Sequence, residues 1–115
     1  MIRKASECNC EIRKEMRGGP GSVKLTSFVT ADELYNKGRM FSGIPLEPAC
    51  GIGYHIHENE TEIFYIIKGT AIYNDNGTEQ EISAGDVAIC ACGEGHSITN
   101  KSGSTVELAA LIILK

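Results

Sequence analysis

The chain has no apolar run that approaches the roughly 20 residues needed by a membrane-spanning helix. Its first residues, Met1 to Glu7, also lack the apolar stretch of a secretion signal. Basic residues are not in excess, since 11 Lys and Arg stand against 15 Asp and Glu, and they form no concentrated positive face for nucleic-acid phosphates. These absences predict a cytoplasmic protein that binds neither membranes nor nucleic acid.

Cys-x-x-Cys pairs are also absent, although the chain has five cysteines. Four of them form two Cys-x-Cys pairs, Cys8 with Cys10 and Cys90 with Cys92. In a strand this spacing places two sulfurs about 7 Å apart, which is too far for an easy disulfide. A zinc site made from both pairs is one hypothesis. We favour free thiols that act as small buried hydrophobic side chains.

The composition, with 42% apolar and 23% charged residues in 115, is that of one ordinary globular domain. A polar lead-in over residues 1–21 ends in the turn-forming stretch Gly18-Gly19-Pro20-Gly21. The hydroxyl-x-x-Glu pattern from Thr30 to Glu33 predicts one short helix that continues to about Asn36. Residues 22–115 otherwise consist of short β-rich segments divided by turns, and Asn74-Asp75-Asn76-Gly77 predicts a hairpin. We therefore expect an all-β barrel or sandwich of about nine strands.

The tripeptide His55-Ile56-His57 places two imidazoles on the same face of a strand. Glu62 follows a turn-like segment and opens the apolar run 63–67, so a hairpin there would bring it beside His57. A carboxylate in such a strand needs a partner that compensates its burial, and a metal ion is an effective one. Glu58 and Glu60 are interpreted as solvated loop charges, and a solvent-exposed histidine pair is the simpler alternative.

Two spaced patterns resemble the motifs of the cupin superfamily. The first consists of His55, His57, Glu62 and Gly69, and the second of Gly85, Ala91, Gly93, His96 and Asn100. Ala49 and Ala91 depart from the glycine and proline that the family usually has there, and neither position binds metal. The resemblance implies a double-stranded β-helix, or jelly-roll, barrel over residues 22–115, with residues 1–21 as a lead-in or dimer arm.

The resemblance also implies that His55, His57, Glu62 and His96 bind one divalent transition metal. Three imidazoles and a carboxylate suit Mn, Fe, Ni, Co, Cu or Zn better than Ca or Mg. Four protein ligands would leave positions on the ion for water or a small oxygen-bearing molecule.

Strand parity identifies further candidates around this site. Phe64 and Ile66 share the face of Glu62, and Ile98 and Asn100 share that of His96, so we expect them to bind the small ligand. Core packing is the alternative for Phe64 and Ile66. Asn100 either holds a ligand histidine or caps a turn. The same parity predicts that three tyrosines point away from the metal: Tyr54, Tyr65 and Tyr73.

Cupins with three histidines and a glutamate include dioxygenases and decarboxylases, and oxalate decarboxylase-like proteins are one comparison. The resemblance thus favours a metal-dependent oxidoreductase or lyase that acts on a small oxygen-rich molecule. Because no general acid or base is identifiable beside the ligands, a non-catalytic binding or sensing module is the alternative. A barrel without any ligand would leave Glu62 unexplained. The apolar segment 106–114 and the lead-in predict a homodimer.

Overall fold

A computed structural model describes all residues, 1–115, and contains ten strands and three short 3-10 turns. The strands are β1 (Asn9–Lys14), β2 (Ser22–Ser27), β3 (Gly38–Leu46), β4 (Gly51–Ile56), β5 (Glu60–Lys68), β6 (Thr70–Asp75), β7 (Thr78–Ser83), β8 (Val87–Cys90), β9 (Gly95–Thr99) and β10 (Val106–Leu114). The 3-10 turns are Ala5–Glu7, Met16–Gly18 and Asp32–Leu34. The expectation of an all-β chain is confirmed. No helix in it is long and apolar enough to cross a membrane.

The strands form two antiparallel sheets. The larger sheet has the order β1-β2-β3-β10-β5-β8, and the smaller one has the order β4-β9-β6-β7. Apolar side chains from both sheets meet between them in a core cluster of 15 buried residues. The inward residues alternate with outward ones along most strands, because successive side chains in a strand point to opposite faces.

The prediction of a short helix from Thr30 to Asn36 is wrong. The capping contacts form as expected, since Glu33 N donates to Thr30 Oγ1 at 3.2 Å and Thr30 N donates to Glu33 Oε1 at 2.8 Å. However, Tyr35 and Asn36 adopt left-handed φ values of 55° and 53°, which stops the turn after one 3-10 unit. A capping pattern therefore predicted the start of the turn but not its length.

Residues 106–114 form an inner strand, which changes the argument for a dimer. β10 pairs with β3 on one side and with β5 on the other, so its backbone is satisfied within the chain. The strand missing from the sequence-based expectation is β1, an edge strand that pairs with β2 and is exposed on both faces. Part of the polar lead-in thus extends the larger sheet.

The hairpin predicted at Asn74-Asp75-Asn76-Gly77 is confirmed. Asp75 pairs with Thr78, and Asn76 and Gly77 have φ values of 52° and 99° at the tip between β6 and β7. Positive φ at both central residues is what a two-residue hairpin loop of type I′ requires. This hairpin brings β6 against β9 on its other side.

Candidate metal centre

Elements of both sheets supply the four predicted ligands. His55 lies in β4, His57 directly follows that strand, and His96 lies in β9 opposite His55 in the register. Glu62 reaches the same place from β5 of the larger sheet. Three of the four side chains are almost fully buried, with exposed fractions of 2% for His57, 5% for Glu62 and 1% for His96.

The donor atoms converge on one point, and each lies within 4.8 Å of every other. His57 Nε2 is 3.0 Å from His55 Nε2, 3.1 Å from His96 Nε2 and 3.0 Å from Glu62 Oε1. His96 Nε2 also lies 3.0 Å from Glu62 Oε1. Two ligands at right angles on an ion with bonds of about 2.1 Å are about 3.0 Å apart. These four distances therefore match adjacent corners of a metal coordination sphere, whereas His55 Nε2 and Glu62 Oε1 are 3.9 Å apart.

The second ring nitrogens fix how two of these imidazoles carry their protons. His55 Nδ1 donates to Gly53 O at 2.7 Å, and His57 Nδ1 donates to the Glu60 carboxylate, since both oxygens can only accept. In the neutral form each Nε2 then presents a lone pair, and these two lone pairs face each other. A cation between them removes this conflict, and a donor set of three imidazoles and one carboxylate fits a divalent transition metal.

His96 is held from behind by two aromatic residues. The Tyr73 hydroxyl is hydrogen-bonded to His96 Nδ1 at 2.7 Å, and the Phe64 ring stacks on the His96 ring at a centroid distance of 5.1 Å. The prediction that Tyr73 points away from the ligands is therefore wrong, because β6 carries no ligand from which its inward face could be deduced. Tyr54 and Tyr65 are about half exposed and point away as expected.

The electrostatics of the cluster favour a bound positive charge. Burial raises the pKa of Glu62, but the hydrogen bonds with the three surrounding imidazoles lower it by a larger amount. The pKa of Glu62 therefore lies well below its ordinary range. The hydrogen bond to Glu62 raises the pKa of His57, with Glu60 adding to the effect. Burial lowers the pKa of His96. An ionised carboxylate thus sits among imidazoles that compete for protons.

Glu60 belongs to this centre, so its interpretation as a solvated loop charge is wrong. Its carboxylate, 12% exposed, accepts from His57 Nδ1 and forms a two-point ion pair with Arg39. Arg39 Nε and Nη2 donate to Glu60 Oε1 and Oε2 at 2.7 and 2.8 Å. The Arg39 hydrogen bonds lower the pKa of Glu60 to about 2. Glu58 is exposed, as predicted.

A cavity of about 150 Å³ opens beside His55, His57 and Glu62. A cavity of this size in another protein holds benzene, a molecule of six heavy atoms. Its wall is partly apolar and partly polar: Glu11, Arg13, Met16, Arg17, Leu25, Ser27, Arg39, Met40, Ser42, Ile44, Ile52 and Ile112 complete it. Its charged residues are three arginines, Arg13, Arg17 and Arg39, and two carboxylates, Glu11 and Glu62.

The N-terminal segment contributes two of these arginines. Arg13 on β1 is ion-paired with Glu11, with Nε 3.0 Å from Oε1, and this pairing lowers the pKa of Glu11. Arg17 forms no ion pair within the chain. The backbone at Arg17 packs directly on Gly53, where an added Cβ would lie 2.0 Å from Arg17 O. Because Gly53 has no Cβ, the segment that carries Arg17 can pack against β4, the strand that carries His55.

The residues predicted to bind the small ligand are buried and do not line the cavity. Phe64, Ile66 and Ile98 belong to the buried core cluster, and none of them lines the cavity. Asn100 is also absent from the cavity wall. Its Nδ2 donates to Leu46 O and Ser104 O at 2.8 Å each, and its Oδ1 accepts from Ser102, so its hydrogen bonds stabilise a turn.

All five cysteines are free thiols in different surroundings. Cys90 is buried, and burial raises its pKa to about 11. Cys10 and Cys92 are exposed, so the description as buried hydrophobic residues is wrong for them. Cys8 and Cys50 are partly buried. No thiol belongs to the cluster of potential metal ligands.

Comparisons with known proteins agree with this site and fold. Residues 44–113 match the cupin domain family. The chain is 40% identical over 114 residues to an oxalate-binding protein of Thermotoga maritima, a match that covers 99% of this chain and 94% of the relative.

Solved structures show the same architecture. A crystal structure described as a predicted oxalate decarboxylase from Thermotoga maritima superposes with a TM-score of 0.95 at 39% identity, with both chains covered completely. The cupin domain of Schizosaccharomyces pombe Cnp3 shares the fold alone, with a TM-score of 0.74 at 14% identity over 91% of this chain and 69% of that one. The expected jelly-roll barrel is confirmed, and the chain belongs to the cupin domain family.

Proposed function

We propose that this protein binds a small carboxylate anion of the oxalate class on a divalent metal held by His55, His57, Glu62 and His96. The observation that supports this proposal is the cavity beside the metal centre, which is large enough for a molecule of about six heavy atoms. Its wall contains three of the predicted metal ligands and three arginines. A bound metal ion would supply an electrophilic centre for carboxylate oxygens. The Thermotoga maritima relative named an oxalate-binding protein supports this anion class.

The chain's own residues favour binding over turnover. Decarboxylation needs a group that delivers a proton to the product, and Glu11 is the carboxylate of the cavity wall outside the ligand set. Its ion pair with Arg13 lowers its pKa, so it is ionised at neutral pH and is a poor proton donor. Arg13 and Arg17 place positive charge at the cavity, which attracts an anion without any chemical step.

Metal analysis followed by calorimetric titration with oxalate tests the proposal. We expect one divalent ion per chain, oxalate binding that chelation abolishes, and much weaker binding of acetate. Arg17→Gln should weaken oxalate several-fold without loss of metal, because it removes a cavity charge that forms no pair within the chain. Equal oxalate binding with and without metal would refute the proposal.

A metal-dependent oxidoreductase or lyase is the second candidate. The observation in its favour is the set of four protein ligands, because an ion that accepts six ligands would keep positions there for water or a substrate. Incubation of the Mn- or Fe-loaded protein with oxalate, with and without dioxygen, distinguishes the candidates. Formate, CO₂ or peroxide formed over many turnovers would establish an enzyme.

We also propose that the protein forms a homodimer through the outer face of the larger sheet. Outward-facing apolar residues pair across β5 and β8, as in Ile63 with Ile89 and Tyr65 with Val87. Val87 and Ile89 are 55% and 58% exposed, and Ile67 is 52% exposed. Such a contiguous apolar face is typical of an interface between copies. Light scattering should give twice the chain mass, and Ile89→Lys should give the monomer; a monomeric wild type would refute it.

A further inference from the structure

Arg39 touches both the cavity and the group that holds a metal ligand. Arg39 lines the cavity, and two of the five N–H groups of its guanidinium bind Glu60. The remaining three N–H groups make no hydrogen bond within the chain. Arg39 is 44% exposed at its side chain, so these donors are accessible to an anion in the cavity.

Glu60 in turn determines the state of His57. As an acceptor it requires the proton of His57 on Nδ1, which leaves Nε2 as the metal-binding atom. A carboxylate at this place makes an imidazole more electron-rich than a backbone carbonyl does, and His55 has only the carbonyl of Gly53. The hydrogen bond to Glu60 therefore makes His57 the strongest electron donor among the three histidine ligands.

The Arg39 charge weakens this effect of Glu60. A guanidinium in two-point contact withdraws charge from the carboxylate that it binds, and its own charge also opposes a nearby cation. An anion that takes the free N–H groups of Arg39 shares that guanidinium with Glu60. More negative charge is then left on the oxygen that faces His57.

We propose that the Arg39–Glu60 pair links anion occupancy of the cavity to metal affinity through His57. In this arrangement Glu60 is a positioning residue for His57, and Arg39 lowers the metal affinity until an anion binds. By reciprocity, a bound metal raises the affinity of the cavity for the anion. The inference rests on the metal centre of the proposed function and concerns its regulation.

A double-mutant cycle on Zn²⁺ affinity, measured by competition with a chromophoric chelator, tests the proposal. Glu60→Gln should weaken Zn²⁺ binding about tenfold or more, because the amide is a poorer acceptor for His57 Nδ1. Arg39→Gln should instead strengthen it about threefold, and this gain should vanish in the Glu60→Gln background. The opposite signs distinguish a charge effect from simple loss of packing.

Arg3→Gln is the matched control, since Arg3 forms a similar two-point pair with Glu33 at a place that contacts neither the cavity nor a ligand. It should leave Zn²⁺ affinity unchanged. A second measurement is the proton resonance of His57 Nδ1–H in the Zn²⁺-loaded protein. Arg39→Gln should move it downfield, and oxalate should shift it less in that variant than in the wild type.

The outcomes separate the two proposals. If the wild type binds no Zn²⁺, the metal centre itself is refuted. If the wild type binds Zn²⁺ but Arg39→Gln weakens it as much as Glu60→Gln does, Arg39 merely holds Glu60 in place and the proposed coupling is wrong. An Arg39→Gln effect that persists undiminished in the Glu60→Gln background has the same meaning.

Discussion

Replacement of Tyr73 by Phe removes one hydroxyl from the back of the metal centre. The hydroxyl lies 2.7 Å from His96 Nδ1, and both side chains are buried, at 3% and 1% exposure. Phe keeps the ring in the core, so little apolar contact is lost. What remains is a buried imidazole nitrogen without a partner.

The structure gives the size of the expected effect. An unsatisfied buried polar group costs about 1–3 kcal/mol, which for a domain of this size lowers Tm by about 4 °C per kcal/mol. Because the hydrogen bond also orients a metal ligand, metal affinity should fall by about 10- to 100-fold. Thermal unfolding of the metal-loaded protein and a chelator competition measure the two effects separately.

Tyr35→Phe is the matched control, because Tyr35 is 83% exposed, lies outside the proposed dimer face and has a hydroxyl that makes no hydrogen bond within the chain. It should change neither Tm nor metal affinity. If Tyr73→Phe behaved like this control in both measurements, the Tyr73 hydroxyl would have no part in positioning His96.

Three further predictions concern the metal, the thiols and acid. Chelation should lower Tm, since an ion at 100 times its Kd adds about 2.7 kcal/mol, and His57→Ala should abolish this difference; an equal effect of chelation on that variant would count against His57 as a ligand. A thiol reagent should modify the exposed Cys92 quickly. It should modify the buried Cys90, which has a pKa of about 11, only when the protein unfolds, and mass spectrometry of the peptides measures both reactions. The Arg3 hydrogen bond lowers the Glu33 pKa to about 2, so its stabilising contribution should be present above about pH 4.5 and vanish as pH falls towards 2; urea unfolding of Glu33→Gln against wild type would contradict this if the difference grew in acid.

Three of the four ligands were predictable because each is placed by a local rule. Strand parity puts His55 and His57 on one face, and a short turn returns Glu62 beside them. His96 required the resemblance, because nothing local links it to residues 39 positions earlier. Its pairing with His55 across β4 and β9 depends on the complete topology of the smaller sheet.

The missed residues act across longer distances. Tyr73 was misplaced because only the register of β6 against β9 shows which of its faces points inward. β1 was missed because both of its faces are exposed and its two apolar residues, Cys10 and Ile12, are too few to mark it as a strand. Glu60 and Arg39 meet only when β10 holds the starts of β3 and β5 on either side of it, an arrangement that sequence spacing does not contain.

The division of the ligands between the two sheets has a mechanical consequence. Three imidazoles belong to the β4–β9 side, whereas Glu62 belongs to the opposite layer. An ion bound by all four side chains would therefore cross-link the two sheets. The sheets could separate only after Glu62 had released the ion. Amide hydrogen exchange in β5 and in β9 should accordingly slow together when the ion is added, because one ion would bind a side chain from each of these strands.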